Sequence, residues 1–270
     1  MAMRDITLGQ YYPVDSAVHR LDPRVKILLL VGLIVAIFLA RNLAAFLPVL
    51  AFLAFATANA KVPVKMMLKG VKPLRFILVL TFLLNLFFLP GETVLWDLGF
   101  AVIRKEALLT AILYSFRLVL LVMGSSLLTL TTPPIVLTDG LERLLSPLRV
   151  IHFPAHEMAM MMSIALRFIP TLLEEADKIM KAQTARGADF ESGNLMKRAR
   201  AMVPLLVPLF VSAFRRAGDL AMAMEARCYH GGEGRTRLRV LHITDSDVAA
   251  CVLMAALIFC VVACNGLQVY

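Results

Sequence analysis

Two short stretches of the chain hold the side chains best suited to recognition chemistry. Residues 182–190 read AQTARGADF and residues 224–232 read MEARCYHGG, so an Ala-Arg pair followed by a small residue recurs, with Arg227 forty-one positions after Arg186. An arginine so placed is equipped for docking. Its rigid fork donates two hydrogen bonds to one carboxylate, and truncating one member of such a buried pair costs about 2–5 kcal/mol. The simpler role is a helix stop, in which a cation in the last turn complements the helix dipole and Gly187 takes the left-handed cap conformation. Either arginine alone fits that simpler role, but two copies at the ends of two similar helices favour a pair of equivalent partners.

Other candidate chemistry falls away on inspection. His152 and His156 are four apart, but Pro154 lies between them and HFPAHE matches neither H-E-x-x-H nor H-x-x-E-H. The run from Gly231 to Arg235 is too short for a phosphate loop and lacks its lysine, and no G-x-x-x-x-G-K-[ST] occurs, so any ATP chemistry must come from partners. Cys251, Cys260 and Cys264 lie in one apolar run with no C-x-x-C pair, which reads as small core hydrophobes. Glu174 and Glu175 are adjacent, hence on different sides of a helix, which is poor acid–base geometry. No catalytic residue, metal ligand or cofactor site is expected in this chain.

The elements that must carry the arginines are set by composition. Of 270 residues, 60% are hydrophobic and 17% charged, with a mean hydropathy of +0.78, against about 45–50% and about 25% in a soluble domain. That is a membrane protein. Its net charge of +9 reads as the positive-inside bias or attraction to anionic headgroups, and not as nucleic-acid binding. Apolar runs at 27–40, 43–58, 76–89, 107–130 and 248–264 are the candidate spans, several of them shorter than the ~20 residues a crossing needs. Nothing before Arg24 resembles a cleaved signal, so the first run is expected to remain as a span. Arg4, Arg20, Arg24 and Lys26 precede it, and Lys61, Lys65, Lys69, Lys72 and Arg75 fill the connection from second to third; both regions are therefore expected in the cytoplasm. In LDPRVK, Asp22 is expected to cap the first helix with Pro23 at its first position. Arg117 sits well inside the fourth run, where a charge marks either function or a buried polar contact, to backbone carbonyls or to the amide of Asn85.

Residues 131–247 are too apolar for a loop and too charged for spans. Asp139-Gly-Leu-Glu142 has capping-box spacing, and Pro147 should break the helix that follows. The face Ile169, Leu172, Leu173, Ala176 and Met180, with Glu174/Lys178 and Asp177/Lys181 on the wet side, predicts an amphipathic helix running into Ala185-Arg186-Gly187. A basic connector with Lys197, Arg198 and Arg200 leads to a second helix that Pro204 and Pro208 should kink or delay, ending at Ala226-Arg227-Cys228. Met158 to Met162 suits adaptable packing or ordinary core filling. The domain plan is thus 1–130 with four spans, 131–247 as an interfacial cytoplasmic region, and 248–270 as the last span.

At this point the chain resembles a known family, the transmembrane T components of energy-coupling factor transporters, the vitamin- and metal-uptake relatives of ABC importers. The resemblance rests on SAVHRLDPRVKIL, LTLTTPPIVLTDGLERLLSPL, MMMSIALRFIPTLLEEADKIMKAQTARGADF and VPLLVPLFVSAFRRAGDLAMAMEARCYHGGEGRT, and it favours the shared vitamin-uptake type. It implies an all-α, multi-pass protein of the cell membrane with its N-terminus in the cytoplasm, coupling two ATP-binding cassette ATPase subunits to a separate substrate-binding membrane subunit. It also implies that Ala185, Arg186 and Gly187 dock one ATPase and Ala226, Arg227 and Cys228 the other. The second motif departs from the family's glycine, since a left-handed Cys228 costs roughly 1 kcal/mol or more; the helix should then continue to Tyr229 and cap at the following glycines, or the contact differs in shape. The rival classes are a self-contained secondary transporter, which calls for repeats and broken helices within the spans, and a membrane enzyme.

Overall fold

The computed structural model describes residues 11–89, 93–97, 102–151, 153–188, 190, 194–231 and 241–266. Nearly all of these are helical, as the composition requires of a chain whose backbone must satisfy itself in lipid. The helices divide into two compact units, one formed by Gly9–Leu141 with Val240–Tyr270 and the other built on Glu142–Arg239.

The first unit holds α1 (Ala17–Arg20), α2 (Pro23–Leu39), α3 (Leu43–Ala60), α4 (Val64–Val71), a 3-10 turn at Lys72–Leu74, α5 (Arg75–Phe88), α6 (Lys105–Thr131), the start of α7 (Pro134–Leu145) and α10 (Asp245–Gly266). Strands β1 (Val94–Asp97) and β2 (Val102–Arg104) form an antiparallel hairpin between α5 and α6, an element with no signal in the sequence. Its strands are too short to give an alternating pattern.

By length and apolarity the spanning candidates are Leu43–Ala60, Val64–Phe88, Lys105–Thr131, Arg200–Ala226 and Asp245–Gly266. Two departures from expectation follow. The first apolar run forms α2, which at 17 residues is too short for that set, and Arg200–Ala226 enters it. The short α2 is nevertheless at the centre of the unit. Its Leu33, Ala36 and Ile37 pack with Phe46, Val49 and Leu53 of α3, Leu120 of α6 and Met254, Leu257 and Val261 of α10.

The register of α2 on α6 is antiparallel and regular. Lys26 meets Thr131, Leu33 lies against Gly124, and Ala40 meets Arg117, at steps of seven residues on both helices. A Cβ at Gly124 would come within 2.5 Å of Leu33 Cδ2, so glycine permits the close approach. Both ends of α2 are held by a cation. The buried Lys26 ammonium donates to the carbonyls of His19 (3.0 Å) and Thr131 (3.2 Å) and to Thr132 Oγ1 (3.2 Å). At the other end Arg117 donates to the Ala40 carbonyl at 2.8 Å, with Phe38 and Tyr114 rings 5.6 and 5.4 Å from the guanidinium carbon. Asn265 of α10 donates to the Leu39 carbonyl and accepts from the Arg41 amide.

The caps of α2 and α10 are joined. Asp22 caps α2 as expected, accepting from Arg24 N–H with Pro23 following. The Asp22 amide in turn donates to the fully buried Asp247 carboxylate at 2.8 Å, while Asp247 also accepts from the amide and hydroxyl of Thr244. Thr244-x-x-Asp247 makes one half of a capping box, the carboxylate accepting from the Thr244 amide while the Asp247 amide bonds the Thr244 carbonyl; α2 and α10 thus start side by side and run parallel, from Asp22–Asp247 to Leu39–Asn265. By contrast Asp139–Glu142 does not start a helix. It lies inside α7, which begins at Pro134, where the missing amide suits a first turn, and ends at Leu145 before the 3-10 turn Ser146–Ile151 that contains Pro147.

The two cations are open to direct test. Lys26→Leu and Arg117→Leu each leave buried carbonyls without donors, worth about 1–3 kcal/mol, and each lowers the melting temperature of the detergent-solubilised protein; unchanged melting in both contradicts the role given to them.

Candidate functional site

The second unit consists of the two longest helices of the chain, α8 (Ala155–Ala185) and α9 (Leu195–Ala226), with Glu142 and the Ser146–Ile151 turn. Both helices carry proline inside them: Pro170 in α8, Pro204 and Pro208 in α9. Neither proline of α9 delays its start, because the stretch read as a basic connector is helical from Leu195.

The two helices end identically. After Ala185, Arg186 leaves the helix at φ −88°, Gly187 turns left-handed at φ 88°, and the amides of Gly187 and Ala188 donate to the carbonyls of Thr184 (2.9 Å) and Gln183 (3.0 Å). After Ala226, Arg227 leaves at φ −94°, Cys228 turns left-handed at φ 53°, and the amides of Cys228 and Tyr229 donate to Glu225 (2.9 Å) and Met224 (3.0 Å). This is the six-residue left-handed cap, which satisfies two carbonyls otherwise orphaned. The expectation that Cys228 avoids it is therefore corrected. The two closing hydrogen bonds offset a left-handed penalty of about 1–2 kcal/mol, and Gly231, also at positive φ, lies beyond the helix end.

Both turns project outward. Ala185, Arg186, Gly187, Ala226, Arg227 and Cys228 are all exposed, and among the described residues neither guanidinium has a hydrogen-bond or ion-pair partner. Each is thus an undischarged fork donor on a rigid helix end.

What ties these ends together was not read from the sequence. Arg216 Nη2 donates to Glu175 Oε2 at 2.7 Å, so α8 and α9 meet there. Glu175 lies eleven residues before Arg186 and Arg216 eleven before Arg227, so both arginines stand about 16 Å along their helices from the shared contact. The signal was present in the spacing: Glu175 and Arg216 are forty-one residues apart, as are the two arginines. A hydrogen bond from Ser212, then the Arg216 guanidinium and the more distant Lys178, hold the Glu175 carboxyl below its ordinary value. A second tie runs from the Arg227 turn: Tyr229 hydroxyl lies 3.5 Å from His156 Nε2, and His156 Nδ1 lies 2.9 Å from Glu142 Oε1.

The remaining sequence candidates are placed as follows. Arg117 and Asn85 do not meet; Asn85 donates to Thr81 of its own helix. His152 and the stretch from Gly232 to Arg235 lie outside the described residues. Among the described residues no group of three His, Cys, Asp or Glu side chains is arranged to hold a metal.

Helices long and apolar enough to cross a bilayer, together with a helix pair that ends in matched, exposed arginine turns, define a multi-pass membrane protein. Comparison with known proteins narrows this. The model of the CbiQ family, described as cobalt transport protein, matches residues 15–238. The energy-coupling factor transporter transmembrane protein EcfT of Thermosediminibacter oceani is 54% identical over 92% of this chain and 93% of its own length. The proteins of the same name from Acidaminococcus fermentans and Clostridium kluyveri are 53% and 50% identical over 94% and 96% of this chain. The chain belongs to this family of energy-coupling factor transporter transmembrane proteins.

Two outcomes are expected. Cys228→Gly raises the melting temperature and Cys228→Val lowers it, the latter by about 1 kcal/mol or more, since branching at Cβ aggravates a left-handed residue. Because the Glu175 carboxyl is lowered in the folded protein, its contribution is present above the ordinary carboxylate pKa of 4.5 and is lost as pH falls through its own lower value. The stability gap between wild type and Glu175→Gln is therefore widest at neutral pH and closes in acid; a gap independent of pH contradicts it.

Proposed function

We propose that this chain is the non-catalytic scaffold of an energy-coupling factor importer, docking two ATP-binding cassette ATPase subunits and transmitting their movement to a separate substrate-binding membrane subunit. The observation that carries the proposal is the pair of identical helix ends at Arg186 and Arg227. Two equivalent forks, exposed and equally far from a common contact, suit two related ATPases, each offering a carboxylate-lined groove. The name of the relatives, energy-coupling factor transporter transmembrane protein, supports the transport role, and the resemblance to shared-type T components favours vitamins as the cargo class.

In this reading the docking face lies in the cytoplasm. α6 ends and α10 begins at one end of the first unit, since Thr131 and Asp247 both anchor the start of α2. The chain between them therefore crosses the membrane an even number of times. Among the described residues of that interval, Arg200–Ala226 alone is apolar enough to cross; a single crossing by it is incompatible with the parity, and in this reading α9 goes with α8 as an interfacial helix. The basic residues Arg20, Arg24, Lys26 and 61–75 cluster at that same end, which supports a cytoplasmic N-terminus and a domain plan of 1–130, 131–247 and 248–270.

The test is co-expression with the ATPase subunits. Arg186→Ala and Arg227→Ala each weaken ATPase retention on purification, the double variant abolishes it, and ATP-driven uptake falls in step while the melting temperature of the membrane unit stays unchanged. Full ATPase retention by the double variant reduces both arginines to helix caps and overturns the proposal.

A further inference from the structure

The short helix α4 presents three distinct sides. Met67 is fully buried and Gly70 abuts Ser126 and Val122 of α6, so this side packs on the bundle, in a cluster with Ala60, Val62 and Leu130. Next around the helix come Val64 and Leu68, one turn apart and each about half exposed (51% and 48%). Beyond them Lys65, Lys69 and Lys72 follow at helical spacing, all exposed. Between Lys61 and Arg75 the sequence holds five cations and no acidic residue. Among the described residues none of the five side chains has a hydrogen-bond or ion-pair partner. The carboxylate whose charge senses Lys61 is Asp15, and it is already held by Arg20 at 2.6 and 2.8 Å.

An exposed apolar stripe beside an uncompensated basic stripe is the pattern of a helix lying in the membrane surface. Continuity points the same way, since Val64–Phe88 forms one apolar segment in which α4 leads through the 3-10 turn directly into α5. The helix therefore sits where acyl chain gives way to headgroup. We propose that α4 is a recognition surface for anionic phospholipid, with Lys65, Lys69 and Lys72 engaging headgroup phosphate and Val64 and Leu68 seated among the upper acyl carbons. Phosphate oxygens are strong acceptors for ammonium donors, and each lysine near an anionic surface strengthens binding by about fivefold. Because Gly70 and Met67 pin α4 against α6, lipid binding at this surface also braces the α4–α6 contact.

The full-length protein in neutral detergent is titrated with dispersed phosphatidylglycerol, phosphatidylcholine or inorganic phosphate, and its melting temperature is followed. Phosphatidylglycerol is expected to raise it saturably, phosphatidylcholine and inorganic phosphate to have little effect. Lys65→Gln/Lys69→Gln/Lys72→Gln shifts the phosphatidylglycerol midpoint by roughly tenfold or more, while Lys178→Gln/Lys181→Gln on α8 leaves it in place. If the triple glutamine variant fails to fold, the triple arginine variant is used, which keeps the charge and the midpoint; Val64→Ser/Leu68→Ser, which keeps the lysines, weakens it. An unshifted midpoint in the triple glutamine variant overturns the proposal, as does equal stabilisation by phosphatidylcholine. A full response to inorganic phosphate overturns the lipid source, and a larger shift on altering α8 relocates the surface.

Discussion

Everything in the first unit depends on how the backbone of α2 ends inside a layer that offers no water. A 17-residue helix reaches about 25 Å, short of the ~30 Å hydrocarbon, and the carbonyls at its end have nothing in lipid to bond. The sequence answers with charged donors. Arg117, the charge that looks most out of place in an apolar helix, donates to Ala40, and Lys26 closes the opposite end by reaching the terminal carbonyl of α6. Each helix of the pair lends a cation to the other's C-terminal end, where the dipole is negative. The glycine midway between them lets the two backbones draw close enough for both reaches to succeed.

That arrangement fixes direction as well as distance. With α2 antiparallel to α6 and parallel to α10, the long segment between α6 and α10 must leave and return at one end of the bundle. The second unit is two-sided in its own right: α8 carries charges along its exposed side, and α9 carries large exposed apolar side chains such as Phe210 and Phe214.

Much of this was legible in the residues. The apolar helices at each of the five expected runs, the Asp22-Pro23 cap and the existence of two helices ending on arginine follow from local rules of apolarity, capping and charge. What was not legible depends on partners far apart in the chain. The half capping box at Thr244-x-x-Asp247 was hidden because its carboxylate also serves Asp22, more than two hundred residues away. Asp139–Glu142 has the same local spelling but begins no helix, since two prolines upstream had already started one. The prolines of α9, read as kinking or delaying the helix, do not delay its start at Leu195, and Cys228 accepted a conformation that residue preferences disfavour. At Cys228 the closing hydrogen bonds outweighed a preference of about 1–2 kcal/mol, and α9 continues through prolines whose interior cost is about 3 kcal/mol each.

The position of the Glu175–Arg216 contact makes each of the two long helices an unequal lever. From that contact the arginine end extends eleven residues, while the opposite end extends twenty residues to Ala155 in α8 and twenty-one to Leu195 in α9. At about 1.5 Å per residue the arms are some 16 and 30 Å long. The prolines all lie in the long arms, at 170, 204 and 208. The arm that ends in the arginine is thus free of proline, and any bending of either helix belongs to its longer arm.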